Sequence, residues 1–246
     1  MIEFLPVLVL VLTFVVLLII GVPVAWCIAI SSMFTLMLAM PVSAATTTVS
    51  QRIATGLDSF ALLAIPFFIL SGQIMSKGGI ANRLISFAKT LVGFLPGGLA
   101  LINIVSAMLM GAIAGSAMAS ASAMGTILGP EMEKEGYSKE FGAAVNITSS
   151  TTGLVIPPSN TLIVYSLASG GVSIAALFLA GYIPGILTGL LMMIVAMIWA
   201  KKNNYPVGKR SSLKEVFVKF IDAFPSLLLL VIVIGGIIGG IFTATE

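Results

Sequence analysis

The fold is decided by residues 90–130, which read TLVGFLPGGLALINIVSAMLMGAIAGSAMASASAMGTILGP. These 41 residues carry no charge, and Lys89 and Glu131 bound them on either side. One straight helix of that length would run roughly 60 Å, whereas the hydrocarbon core of a bilayer is only about 30 Å thick. We therefore expect the stretch to turn back on itself inside a membrane, at the small residues 111–116 (GAIAGS).

Basic residues on both flanks support the same turn. Lys77, Arg83 and Lys89 precede the stretch, and Lys134 and Lys139 follow it. Positively charged loops stay on the cytoplasmic side, so both ends are expected there. Two apolar arms that meet at a Gly/Ser tip form a re-entrant hairpin, which we predict over 96–130. Irregular backbone at membrane depth survives only where protein or a water-filled cavity covers it, so the tip is a predicted solute or ion site and points to a transporter.

Composition defines the broad class. Of the 246 residues 59% are hydrophobic and 9% charged, and the mean hydropathy is +1.16; soluble domains carry about 25% charged residues. The pattern indicates an all-α integral membrane protein embedded in the lipid bilayer. The basic residues crowd the membrane-flanking loops, so the net charge of +3 does not indicate nucleic acid binding. The sequence has no His and no phosphate-binding Gly-x4-Gly-Lys-Ser/Thr loop, which disfavours an intramembrane enzyme and an ATP-driven pump.

Apolar spans set the order of the segments. We expect them near 4–20, 22–40, 60–76, 96–130 (the hairpin), 140–168, 173–200 and 224–243. Residues 4–20 are interpreted as a permanent helix because no basic region precedes them, and 41–58 are expected to form an outside loop. The basic residues of 201–223 place that segment in the cytoplasm. Apolar residues at helical spacing in 80–94 favour an interfacial helix or, equally, the cytoplasmic end of the next span.

A second broken element lies within 141–168. Its middle is polar, and Pro157 and Pro158 remove two amide donors, so no helix can run through unbroken. A broken helix exposes carbonyls that suit Na⁺ and amides that suit an anion. Single hydroxyls can equally serve packing, but the cluster 146–160 as a whole favours a binding site. Four candidates for substrate contact come from it: Ser149, Ser150, Ser159 and Asn160.

Four stretches together resemble the large membrane subunit of tripartite ATP-independent periplasmic (TRAP) transporters. They are 62–72 (LLAIPFFILSG), 110–117 (MGAIAGSA), 153–159 (GLVIPPS) and 240–246 (GIFTATE). The resemblance covers all 246 residues, and the combination is specific where single pieces are not. It implies an elevator-type transporter of two inverted repeats, each with a re-entrant hairpin and a broken helix. This sequence resembles the first repeat, so a second hairpin and ion site are expected from a second half.

The resemblance also implies a division of labour along the chain. Scaffold helices are expected in 1–76, an interfacial arm helix in 77–95, a transport domain in 96–200, a cytoplasmic linker in 201–223 and the start of a second scaffold repeat in 224–246. The transport domain would comprise the hairpin 96–130, the broken helix 140–168 and a helix at 173–200. The family's first sodium site maps onto six residues, with backbone oxygens as the main ligands: Gly111, Gly115, Ser116, Thr152, Gly153 and Pro158.

The function implied is import of a small organic anion, of the sialic acid or C4-dicarboxylate type, driven by Na⁺ across the bacterial inner membrane. The expected partners are a small membrane subunit and a periplasmic substrate-binding protein. The alternative is an elevator-type divalent-anion/sodium symporter that needs no binding protein. A requirement for the soluble protein in transport would distinguish the two.

Overall fold

The computed structural model describes residues 4–58 and 60–243, which form eleven α-helices and two short 3₁₀ helices with no strand. The α-helices are α1 (Phe4–Ile19), α2 (Val24–Met37), α3 (Val42–Leu57), α4 (Ala64–Lys77), α5 (Ile80–Val92), α6 (Gly98–Ala114), α7 (Ala117–Lys134), α8 (Lys139–Ser150), α9 (Asn160–Ala168), α10 (Ile174–Lys202) and α11 (Leu213–Ile238). The 3₁₀ helices are Phe60–Leu63 and Thr151–Leu154. The predicted all-α class is confirmed. The chain divides into two compact units, residues 1–59 and 60–246.

In the first unit, α1 packs along α2, and α2 contacts α3. Gly21, with φ of +87°, turns the chain between α1 and α2, and Pro23 precedes α2. The segment 41–58, expected to form an outside loop, is helical, because residues 42–57 form α3. The hydroxyls of Thr46, Thr47 and Thr48 misled the prediction. Each donates to a carbonyl one turn earlier in the same helix, so these polar residues are satisfied within it.

In the second unit, one continuous hydrophobic core lies among α5, α6, α7, α8, α10 and α11. Helix α6 is its centre, with most of its residues buried. Within the described residues, α10 and α11 are each long and apolar enough to cross a membrane, while α1, α2 and α6 are shorter apolar helices. Because the other helices of the core surround α6, it lies inside the protein. Its Gly- and Ala-rich surface allows close packing on several sides.

Helices α6 and α7 fold back on each other as a hairpin. Only Gly115 and Ser116 separate them, and Gly115 takes the left-handed conformation with φ of +60°. The buried hydroxyl of Ser120 on α7 donates to the carbonyl of Ala107 on α6 at 3.1 Å. At 17 residues, α6 is about 26 Å long, less than the roughly 30 Å of a bilayer core. A hairpin of this length ends inside the membrane when its base lies at one surface.

Helix α5 is separate from the hairpin. Gly79, with φ of +78°, precedes it, and a turn at 93–97 connects it to α6. Leu84, Ile85 and Ala88 are buried in the core, where α5 packs against α6 and α11. Its amphipathic pattern is thus accounted for by packing within the protein.

The linker expected at 201–223 has different bounds in the structure. Residues 201 and 202 end α10, and 213–223 already belong to α11. Only 203–212 are outside a helix, and part of this loop is pinned to the turn at 93–97. Pro96 and Val207 form an antiparallel bridge, and the guanidinium of Arg210 lies 5.1 Å from the ring centroid of Phe94.

Aromatic rings complete this contact beside the start of α8. Tyr205 stacks on Tyr137 with ring centroids 4.3 Å apart and lies 5.5 Å from Phe141. The Tyr205 hydroxyl accepts a hydrogen bond from the backbone N–H of Ser138 at 3.3 Å. Burial raises the pKa of Tyr137 to about 12, so its phenol remains neutral at physiological pH. We call residues 93–97, 135–141 and 205–210 together the hairpin base.

Candidate functional site

The hairpin tip lies against the break between α8 and α9. The backbone N–H of Asn160, the first residue of α9, donates to the carbonyl of Gly115 at 3.3 Å. A Cβ built on Gly115 would lie 2.9 Å from the carbonyl oxygen of Pro158. The two irregular stretches of backbone therefore contact each other directly, and most of the residues at this contact are buried.

Two glycines permit the closest approach at this contact. A Cβ on Gly111 would lie 2.5 Å from the Cα of Gly153, and one on Gly153 would lie 2.9 Å from the Cα of Gly111. Real Cβ atoms do not approach backbone so closely, so any side chain at either position would force the hairpin and the break apart. The same Cβ on Gly153 would be 3.5 Å from the carbonyl carbon of Ser116. The structure thus brings together all six residues predicted for sodium.

The break itself has three parts. Helix α8 ends at Ser150, the 3₁₀ helix Thr151–Leu154 follows, and a short irregular stretch leads to Ser159, which caps α9. The Ser159 hydroxyl accepts from the N–H of Leu162 at 3.4 Å and donates to the carbonyl of Leu154 at 2.6 Å. The peptide bond between Pro157 and Pro158 is cis. The 3₁₀ helix that follows α8 and the amide end of α9 both contact the tip, through Gly153 and Asn160.

The hydroxyls near the break are already bonded within the protein. Ser150 donates to the carbonyl of Asn146 at 2.7 Å, and Thr152 donates to the carbonyl of Ser149 at 2.6 Å. Ser116 caps α7 and accepts from the N–H of Ala119 at 3.4 Å. A hydroxyl that donates to a carbonyl retains lone pairs that can face a cation. The hydroxyls of Thr152 and Ser116 can thus keep their hydrogen bonds at the helix ends and also contact an ion.

The four residues predicted to contact substrate do not form one accessible surface. Ser149, Ser150 and Ser159 are buried, and their hydroxyls bond other groups of the protein. Asn160 is half-buried, and its Oδ1 atom has no hydrogen-bond partner in the part of the chain that the structure describes. Thr148 and Thr151, one turn or less from Ser150, are exposed instead. Asn160 is the candidate with a polar atom left to bind.

A buried polar track behind the contact joins the predicted cluster 146–160 to Asn103 and Ser106 on α6, which were not predicted. Asn103, in the middle of α6, accepts from the Ser149 hydroxyl at 3.3 Å. Asn146 donates to the carbonyl of Ala121 on α7 at 2.9 Å. The Asn146 Oδ1 and the Ser106 hydroxyl are buried without a hydrogen-bond partner among the described residues. The signal for Asn103 was an amide side chain within an otherwise apolar helix, since polar groups at membrane depth are costly unless bonded.

Neutral oxygens dominate the chemistry of this site. Residues 90–130 and 141–200 contain no Asp, Glu, Lys or Arg. Groups of three or more His, Cys, Asp or Glu residues that could hold a metal ion are absent from the described ranges. The arrangement offers backbone carbonyls, hydroxyls and amide oxygens, which suit a hard monovalent cation better than a transition metal.

An all-α chain with apolar helices, an internal hairpin and a broken helix defines a membrane protein of the transporter class. Comparison with protein families agrees: residues 11–246 match the tripartite ATP-independent periplasmic transporter, DctM component. The chain belongs to this family, whose members are transporter permeases and not enzymes.

Individual relatives show the same relationship. The chain is 56% identical to the uncharacterized protein YgiK of Salmonella typhimurium, over 98% of this chain and 55% of the relative. It is 42% identical to the C4-dicarboxylate TRAP transporter large permease protein DctM of Vibrio cholerae, over 93% and 50%. It is 39% identical to the sialic acid TRAP transporter large permease protein SiaM of the same species, over 80% and 46%. The chain thus spans about half the length of these curated relatives.

Proposed function

We propose that this chain forms part of a sodium-coupled importer of a small organic anion in the bacterial inner membrane. Two of the relatives named above are named as permeases for C4-dicarboxylates and for sialic acid, and another relative, from Escherichia coli, is named for 2,3-diketo-L-gulonate. All of these are organic acids. The substrate class proposed here is therefore a small carboxylate, carried in by a periplasmic binding protein and handed to a permease that includes a small membrane subunit.

One observation carries the proposal: the hairpin tip and the helix break meet backbone to backbone at Gly111 and Gly153. The contact is closer than side-chain packing allows, because neither glycine has a Cβ. The C-terminal end of α6 at Gly115 and the carbonyl oxygen of Pro158 lie together there, and helix C-termini carry partial negative charge. Na⁺ is the ligand that this arrangement favours, with Gly111, Gly115, Ser116, Thr152, Gly153 and Pro158 around it.

The same site accounts for coupling to an anion. Its ligands are neutral, so a bound Na⁺ leaves a full positive charge at membrane depth, where the surroundings screen it weakly. A carboxylate nearby would compensate that charge, and the amide end of α9 adds a favourable partial charge. Na⁺ and the organic anion would thereby stabilise each other's binding. Asn160, whose Oδ1 has no described partner, lies at this end of α9.

In the proposed elevator mechanism the hairpin and broken helix move together against the scaffold. Their direct backbone contact favours movement as one body, because separating them would expose unpaired backbone groups.

The test uses the complete transporter in proteoliposomes, with an imposed Na⁺ gradient and the binding protein present. Gly153→Val should lower Na⁺-dependent uptake at least about a hundredfold, because the added Cβ would clash with Gly111. Ser149→Ala should lower it about tenfold or less, since it removes one hydroxyl from a site of several oxygens. Omission of the binding protein should abolish uptake by the wild type. Wild-type Na⁺ affinity and rate in both Gly153→Val and Gly115→Val would refute the sodium site.

A further inference from the structure

A second polar pocket lies at the hairpin base, far along α6 from the tip. Its volume is about 320 Å³, and its walls come from α5, the start of α6, the 135 and 206–211 loops and the start of α11. Four basic residues line it, Lys89, Lys209, Arg210 and Lys219, together with two carboxylates, Glu135 and Glu215. The lining is therefore net positive, although it is drawn from segments far apart in the sequence.

The lysines of this pocket form no close ion pair. In residues 4–58 and 60–243, ion pairs within 4.0 Å join only Arg83 to Asp222 and Lys139 to Glu133. Lys89, Lys209 and Lys219 thus line the pocket in excess over its two carboxylates, and neither carboxylate lies within 4.0 Å of them. Like charges held around one cavity repel each other, and a bound anion would relieve that repulsion.

Backbone contacts hold the pocket in shape. A Cβ on Gly208 would lie 2.4 Å from the carbonyl oxygen of Gly93, and one on Gly98 would lie 2.3 Å from the same atom. Three chain segments therefore touch at Gly93, and the bridge between Pro96 and Val207 fixes them. Gly98 and Leu99, which line the pocket, are the first residues of α6. The N–H of Gly98 precedes the first hydrogen-bonded turn, where helices favour negative charge, whereas the backbone of Leu99 interacts with the Tyr137 phenol.

We propose that this pocket binds the phosphate of an anionic phospholipid, with the headgroup between Lys89, Lys209 and Lys219. Neither the ion nor the solute of the transport site takes part, so the inference does not depend on sodium coupling. Anionic lipids populate the cytoplasmic leaflet, and basic pockets between helices on that side suit their headgroups. The positive-inside rule places these loops there.

Apolar residues at the rim favour a lipid over a free phosphate ion. Leu91, beside the pocket on α5, is 40% exposed, and Val207, between two lining residues, is 60% exposed. Helix α11, which begins at the pocket, is one of the two helices able to cross a membrane. The pocket therefore lies where a helix enters the bilayer, and exposed apolar side chains beside it can contact acyl chains.

The experiment measures lipid binding to the purified protein in detergent by native mass spectrometry, with phosphatidylglycerol as the probe. The double variant Lys209→Gln/Lys219→Gln should raise the Kd for this lipid about twentyfold, taking roughly fivefold for each lysine near a headgroup. The matched control is Lys201→Gln/Lys202→Gln, which removes the same charge from the exposed end of α10 outside the pocket. Its Kd should stay within about twofold of the wild type.

A second variant, expected to tighten lipid binding, guards against a folding artefact. Glu135→Gln/Glu215→Gln removes the two carboxylates of the pocket and should tighten phosphatidylglycerol binding several-fold. Equal losses in the pocket and control variants would overturn the site, because surface charge alone would then explain binding. Equal affinity for phosphatidylethanolamine would overturn the preference for an anionic headgroup. If the protein bound glycerol phosphate at millimolar concentration but bound no phosphatidylglycerol, the lipid assignment would be overturned.

Discussion

The hairpin tip and the hairpin base are joined to the rest of the protein in different ways. At the tip, glycines bring backbone against backbone, and a Cβ on Gly111 would lie 2.5 Å from Gly153. At the base, side-chain contacts are added to those of the backbone, as when Tyr205 stacks on Tyr137. A backbone contact leaves no room for substitution, whereas a side-chain contact tolerates residues of similar shape. The contrast predicts that the tip responds sharply to small additions and the base responds gradually to removals.

The largest effect concerns the side of the membrane at which the base lies. In a Cys27→Ala background, Asn82→Cys and Ser138→Cys flank the hairpin and are both exposed. A membrane-impermeant maleimide should label both from the cytoplasmic side only. Ser169→Cys, in the exposed turn between α9 and α10, should label only from the opposite side. Labelling of Asn82→Cys and Ser138→Cys from opposite sides would rule out a re-entrant hairpin and make both α6 and α7 parts of a crossing.

The second effect separates two glycines that look alike in the sequence. Gly111 in α6 and Gly129 in α7 both lie inside helices, where Ala is favoured over Gly by about 1 kcal/mol. A Cβ on Gly129 would meet nothing within 4 Å, whereas one on Gly111 would strike Gly153. Gly111→Ala should therefore lower Na⁺-dependent uptake by the complete transporter about tenfold or more. Gly129→Ala should leave uptake unchanged and the melting temperature equal or higher.

The result would contradict the close approach if the two alanine variants behaved alike. To separate loss of the site from loss of folding, the melting temperatures of both variants are measured in detergent and compared with that of the wild type. A Gly111→Ala protein that melts near the wild-type temperature but requires more Na⁺ would localise the defect to the tip.

Local sequence patterns predicted the tip better than the base. Pro157 and Pro158 break a helix by their own chemistry, and 111–116 signal a turn through small residues, so both irregular stretches could be located in advance. The family resemblance implied that the tip and the break share a sodium site, because no local pattern specifies which segments meet, and the contact of Gly111 with Gly153 came from the structure alone. The sequence of 41–58 indicates a loop because hydroxyls that bond within their own helix resemble loop residues in a sequence.

The base was missed for a related reason. Residues 203–208 (NNYPVG) predict an irregular segment, but the contacts of Val207 with Pro96 and of Tyr205 with Tyr137 join residues far apart in the chain. The segment was therefore expected to be a free linker. Asn103 was overlooked because a single amide in an apolar helix is weak evidence until its partner, Ser149, is seen beside it.

The third effect tests the side-chain character of the base. Tyr205→Ala removes a half-buried ring from Tyr137 and Phe141, and should destabilise the second unit by about 2 kcal/mol. Tyr205→Phe keeps the stacking and loses only the 3.3 Å bond from Ser138, so about 1 kcal/mol or less is expected. Thermal melts in detergent should rank wild type, Phe and Ala in that order. Equal melting of the Ala variant and the wild type would show that the loop 203–210 is not held at the base.

The smallest effect concerns Ser116 at the tip. In the structure Ser116 is the N-cap of α7, and in the proposal it is also a sodium ligand. As the N-cap of α7, its hydroxyl oxygen accepts a long bond, 3.4 Å, from Ala119. Ser116→Ala should cost about 0.5–1 kcal/mol of stability, and Ser116→Gly only a few tenths, because Gly is a tolerated cap. Both variants remove the hydroxyl, so a ligand role predicts that both raise the Na⁺ concentration for half-maximal uptake about two- to threefold. If only Ser116→Ala shifted uptake, in step with its melting temperature, Ser116 would be a cap and the ion would be held by backbone oxygens without it.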